Sequence, residues 1–157
     1  MIPKLVIVGR RGWLVDDLYH AVQIDPRVAG KVRILSELGD HDLEWLYRHS
    51  RFVLFPSFCE GWGLPLAEAL GHGKLCISSS TSSMPEVAQG LADLIDPLDS
   101  NAWYERIKHY LSNPAEVTRR EAEVRARYQP PRWSETAACV LAHLFPAQLK
   151  AAMEGSE

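Results

Sequence analysis

Two carboxylates, Glu60 and Glu68, stand eight positions apart in the segment Glu60-Gly61-Trp62-Gly63-Leu64-Pro65-Leu66-Ala67-Glu68. Gly61 and Gly63 can take backbone angles that a side chain forbids, which lets main-chain N–H groups approach an anion. A helix beginning near Leu64 adds the partial positive charge of its N-terminus, and Pro65 suits its first turn. A diphosphate fits such a place. Glu68, about one turn inside the helix, has a side chain long enough to reach vicinal hydroxyls, while Glu60 in the loop suits a second polyol. As an isolated pair these glutamates would be surface charges; the glycine-tryptophan-glycine context between them points to a ligand instead. Trp62 keeps two readings, stacking beside that ligand or covering the loop.

The elements that must position this segment follow from hydrophobic periodicity. Phe52-Val53-Leu54-Phe55 is a buried-strand pattern, stopped by Pro56-Ser57 where a ligand loop would begin. Leu5-Val6-Ile7-Val8-Gly9 is β-branched and apolar on both faces, as buried parallel strands are. The loop Arg10-Arg11-Gly12-Trp13 follows it. Residues 14–24 predict a helix through Leu14, Leu18, Ala21 and Val22, with Asp16 and Asp17 in the first turn. Residues 32–35 predict a second strand, and Asp40 the cap of a helix whose Leu43, Leu46 and Tyr47 share a face. His72, between two glycines, marks the end of the helix that begins near Leu64. Residues 75–78 predict another strand, followed by a Ser/Thr-rich loop, a helix start at Pro85-Glu86 and a weak strand over 91–95. The patterns over 101–112, 115–128 and 134–144 are helical. This alternation predicts an α/β domain with a mainly parallel sheet over residues 1–145, its ligand lying beyond the carboxyl ends of the strands. A disordered tail is expected over 146–157.

Bulk properties narrow the function further. The 157 residues, 46% of them hydrophobic, suit one domain with one core. A formal charge of -3 and a pI near 6.1 supply no basic field, which disfavours nucleic acid as a partner. Cys59, Cys76 and Cys139 form no close pair, against both a disulfide framework and a structural zinc site, and a reducing cytoplasm is the expected compartment. No run approaches the roughly 18 apolar residues of a membrane span, so any membrane contact would be peripheral, at the inner face. Gly9 and Gly12 fall short of a full dinucleotide fingerprint, and the strand at Phe52 does not end on a phosphoacceptor aspartate. Cys59 lacks a histidine partner for nucleophilic work. Residues 78–83 are expected to form turns bordering the ligand cleft, and Glu86 to serve a helix start.

The run Phe55-Pro56-Ser57, then Glu60-Gly61-Trp62-Gly63-Leu64-Pro65 and Glu68-Ala69-Leu70, resembles the E-x7-E region of family 4 retaining glycosyltransferases of the GT-B fold. The resemblance continues through Leu5 to Gly9 with Gly12-Trp13, Leu43 to Tyr47, Gly73 to Ile77, Ser83-Met84-Pro85-Glu86-Val87, Asp96-Pro97-Leu98-Asp99 and Trp133, spanning about residues 4–144. It is strongest toward bacterial members that build surface polysaccharides. It implies a Rossmann-like three-layer domain, the C-terminal half of the GT-B fold, that moves a hexose from a nucleoside diphosphate sugar to a glycan or lipid-linked glycan. It also implies roles: Glu68 on the donor ribose, Glu60 on the transferred sugar as the catalytic residue, and the amides of Gly61, Trp62, Gly63 and Leu64 on phosphates and sugar. The nucleobase is expected near the strand end at Ile34-Leu35. Such enzymes need no divalent metal and no cofactor beyond the donor substrate, relying on positioned donors around the leaving diphosphate.

In that family a strand-loop-helix unit bearing an arginine and a lysine precedes the strand at Leu5, and an N-terminal domain carries the acceptor. The sequence begins after both, so the chain is not expected to complete a transfer alone. A non-catalytic nucleotide-sugar-binding module, or the donor subunit of a two-chain enzyme, is the alternative. Arg10 and Arg11, just past a strand end, are candidates to replace part of the phosphate clamp, against the plainer reading as solvated loop arginines. The absent strand would lie between those at Leu5 and Phe52, leaving two unpaired edges unless these pair directly or another chain supplies it. The last long helices are expected to expose apolar faces, and with the free edges to promote self-association.

Overall fold

A computed structural model of the chain describes residues 3–145, so the expectation for the tail lies outside the described residues. The chain divides into two compact units, one ending at Ser50 and one beginning at Arg51. In the first unit the order is β1 (Leu5–Val8), α1 (Asp16–Ile24), β2 (Val32–Leu35) and α2 (Asp40–His49). Strands β1 and β2 are parallel, with Leu5 opposite Val32 and Val8 opposite Leu35. Asp16 and Asp17 occupy the first turn of α1, where the helix dipole favours acids. Asp40 is the first residue of α2 rather than its cap; Gly39 holds the cap position, in extended conformation and with no side-chain bond. Tyr47 is buried on the face it shares with half-buried Leu43 and Leu46.

The second unit runs β3 (Val53–Phe55), α3 (Leu64–Gly71), β4 (Cys76–Ser79), α4 (Met84–Ala88), β5 (Asp93–Ile95), α5 (Ser100–Ser112), α6 (Pro114–Arg127) and α7 (Trp133–Leu144). Its sheet is parallel in the order β3-β4-β5. The middle strand β4 is buried along its whole length because neighbours flank both its edges and helices cover its faces. Side chains alternate across the sheet, so Leu54, Ile77 and Ile95 meet Trp103 and Tyr110 of α5 and Val117 of α6 in one cluster. Helix α3 packs on β3, β4, α4 and α6, and burying each of Leu66 and Leu70 contributes roughly 1.5–3 kcal/mol. Asp99 caps α5 by accepting from Ala102 N at 2.9 Å. The Asp93 carboxylate at the start of β5 binds Tyr110 Oη at 2.6 Å, Arg106 at 3.0 Å and Arg120 at 3.3 Å, tying α5 and α6 to the sheet edge.

The element order follows the sequence pattern throughout, with two corrections. Strand β1 is not a buried strand: Leu5, Val6 and Val8 are exposed. An apolar pattern reports what a strand can bury, and among the described residues β1 is paired on one edge only. The described residues form two sheets, β1–β2 in the first unit and β3–β4–β5 in the second. Second, the late helices differ from one another. Helices α5 and α6 bury Trp103, Tyr110, Val117 and Val124, whereas α7 buries no residue. Only α7 presents the exposed apolar face expected of that region.

Candidate functional site

Strand β3 ends at Phe55, and Pro56, lacking an N–H, stops the ladder. The chain crosses the carboxyl end of the sheet as residues 57–63 and enters α3 through Gly63, whose φ of 95° is left-handed. Of the two glycines in the motif only Gly63 uses its conformational freedom. Gly61 is not at positive φ, and nothing lies within 4 Å of where a Cβ would stand.

Helix entry consumes little of the loop's donor capacity. The N–H groups of Leu66 and Ala67 donate to Gly63 O at 3.0 and 3.2 Å, and Pro65 has none. Among the described residues the N–H groups of Gly61, Trp62, Gly63 and Leu64 donate to no protein acceptor. Four consecutive amides leading into a helix N-terminus, with the dipole behind them, leave donors available to an anion. Trp62 and Leu64 are exposed beside it.

Glu60 is half-buried, and its Oε1 accepts from Ser57 Oγ at 2.8 Å. Glu68 is exposed on α3, one turn beyond Leu64, and its carbonyl accepts from His72 N at 2.9 Å at the helix end. The second unit thus brings together Glu60, the four amides and Glu68. In the first unit, Arg10 and Arg11 follow β1 while Leu35 ends β2, whose carbonyl accepts from Gly9 N at 3.0 Å. These three residues share the carboxyl end of the β1–β2 pair. Arg11 is already engaged: it pairs with Asp16, and its guanidinium sits 4.8 Å over the Tyr19 ring. The hydrogen bond and charge of Asp16 raise the Arg11 pKa further.

Sequence reasoning treats residues 78–83 as turn formers, and here it misses a set of contacts. Thr81 Oγ1 donates to Phe58 O at 2.9 Å, and Ser79 Oγ lies within reach of the carbonyls of Phe55 and Ser57. Ser82 Oγ accepts from Glu60 N at 3.3 Å and donates to Glu60 O at 2.6 Å. Ser83 Oγ donates to Trp62 O at 2.7 Å, with a longer reach of 3.2 Å to Glu60 O. The β4–α4 loop is therefore a row of hydroxyls closed on the main chain of the motif loop. Run-on serines and threonines after a strand were the available signal; their partners, more than twenty positions away, were not.

Comparison with known proteins identifies the fold and the family. The chain superposes on sucrose-phosphate synthase from Thermosynechococcus elongatus with a TM-score of 0.69, covering 95% of this chain and 39% of that one at 24% identity. The fold is accordingly that of a GT-B glycosyltransferase. Residues 3–113 match the family described as "Glycosyl transferases group 1", and the chain belongs to that family. Among curated relatives, "O-antigen chain mannosyltransferase B" of Escherichia coli is 39% identical over 98 residues, 62% of this chain and 26% of that protein. "Serotype-specific mannosyltransferase WbdA" of Escherichia coli is 35% identical over 101 residues, 64% of this chain and 11% of that protein. The chain spans about a quarter or less of the length of these relatives. Among the described residues no helix is long and apolar enough to cross a membrane.

Proposed function

We propose that this chain forms the donor site of a retaining glycosyltransferase that moves a hexose from a nucleoside diphosphate sugar to a glycan acceptor. The observation that carries the reading is the run of four N–H groups, Gly61 to Leu64, without an internal partner between the carboxylates of Glu60 and Glu68. A leaving diphosphate gains one negative charge as the bond between the sugar and its phosphate oxygen breaks, and fixed N–H dipoles at a helix N-terminus meet it without reorganising. Glu68 takes the ribose diol and Glu60 the transferred sugar; in the other unit, the resemblance assigns the base to the strand end at Leu35, and Arg10 and Arg11 at the neighbouring strand end are the candidates for phosphate. The hexose reading is supported by relatives whose names are those of mannosyltransferases, and retention by the resemblance of the two-glutamate motif. The acceptor is a glycan or lipid-linked glycan bound by residues beyond these, and the chain by itself binds donor without completing transfer. We place the protein in the cytoplasm, with any membrane contact peripheral.

Calorimetric titration of the chain with UDP, GDP and their hexose conjugates tests this. Glu68→Ala is expected to weaken binding at least roughly tenfold, the loss of a charge-assisted hydrogen bond or two. Equal affinity in the variant, or no binding by the folded wild type, overturns the reading. Each titration is repeated with EDTA: unchanged affinity supports the amides as the counter-charge of the diphosphate, and a loss assigns that part to a divalent cation.

A further inference from the structure

The hydroxyl row on the β4–α4 loop contains one residue in a costly conformation. Ser82 has a φ of 56°, in the left-handed region where a side chain is disfavoured and glycine is free. Its side chain compensates in a particular way. A single hydroxyl accepts the Glu60 N–H and donates to the Glu60 carbonyl, so both main-chain polar groups of one residue, 22 positions away, are fixed by one atom. The unpartnered amides begin at the very next residue, Gly61. The Glu60 carboxylate is held from the other side by Ser57. Strain kept at a position where a simpler residue would relieve it is a mark of a functional constraint.

We propose that Ser82 is a positioning residue of the donor site: its hydroxyl pins the Glu60 main chain, and so sets both the carboxylate of Glu60 and the starting point of the anion-binding amides. This rests on the donor-site reading above. Ser82 itself does not touch the donor; it acts through Glu60. Without the hydroxyl, the Glu60 peptide groups would turn to water and the loop would sample other placements, at a cost to affinity that grows with the precision the ligand demands.

Ser82→Gly separates this role from a merely structural one. Glycine adopts the same φ without strain, and that relief offsets both its greater freedom in the unfolded chain and the two exposed hydrogen bonds whose groups turn to water, so the melting temperature is expected to change little. Affinity for whichever of UDP and GDP the wild type binds is expected to fall roughly tenfold, from two lost hydrogen bonds at an ordered loop. Amide exchange at Glu60 should accelerate, with exchange in β4 unchanged. A Ser82→Gly chain that binds like wild type overturns the proposal and leaves the donor site standing. So does one whose melting temperature falls in step with its affinity, since that is the behaviour of a structural residue. A wild-type chain that binds neither nucleotide overturns the donor reading and this inference with it.

Discussion

Cys76 opens β4, the middle strand of its sheet, with no exposed surface, and burial raises its thiol pKa well above the ordinary value near 9, the nearby Lys74 opposing only in part. In the unfolded chain the thiol ionises from about pH 9, whereas in the folded chain it stays neutral. A folded pKa above the unfolded one means stability is complete below pH 9 and falls as pH rises, by about 1.4 kcal/mol per pH unit for one such group. Cys76→Ala removes that dependence and leaves a small void costing about 1 kcal/mol. The stabilities of wild type and variant should therefore converge and then cross as pH is raised from 8 to 10.5; parallel curves would show that the thiol is not protected. At this scale the sequence made Glu60, Glu68 and the loop between them legible, because their spacing and glycines are local. The service of Thr81, Ser82 and Ser83 to that loop was hidden, since a hydroxyl's partner across a parallel sheet is set by strand order and not by neighbours in sequence.

Helix α3 was legible to within a residue at each end, through Pro65 in the first turn and Gly71-His72-Gly73 at the exit. Its entry depends on Gly63. An Ala there would meet Phe55 Cε1 at 3.6 Å and Met84 Sδ at 3.9 Å, ordinary contacts, so the cost is the left-handed φ alone. That costs roughly 1–2 kcal/mol, or a few degrees of melting temperature in a chain of this size, near 2–4 °C per kcal/mol. The alternative is a rotated peptide, which moves the amides of Gly63 and Leu64. Either way Gly63→Ala is expected to lower both melting temperature and nucleotide affinity, whereas Gly61→Ala, at an uncrowded position without positive φ, should leave the melting temperature unchanged. Calorimetry on the pair checks this; equal effects of the two would sink the account of helix entry. Strand β1 shows the limit of reading elements by pattern. Its apolar run was plain, but burial depends on what covers a strand, which periodicity does not contain.

Across the whole chain the burial is uneven. The first unit buries Tyr47 alone among its described residues, and every other buried side chain belongs to the second. Within the second, α7 is the exception: Ala137, Val140, Leu141 and Leu144 recur at i, i+3, i+4 and i+7, forming one apolar face, yet Leu141 is 48% and Leu144 65% exposed. An apolar helix face left in water is relieved by any surface that covers it, and a formal charge of -3 offers weak repulsion against a second copy of the chain. Concentration-dependent association is therefore expected in sedimentation velocity, strongest as pH approaches the pI near 6.1 and repulsion vanishes. Leu141→Lys with Leu144→Lys alters only exposed positions, so it should leave the melting temperature in place while returning the chain to monomer. A wild-type chain that stays monomeric at high concentration would remove the basis of this expectation. Association that persists in the double variant would instead assign it to the exposed Leu5, Val6 and Val8 of β1, where Val6→Lys gives the corresponding test.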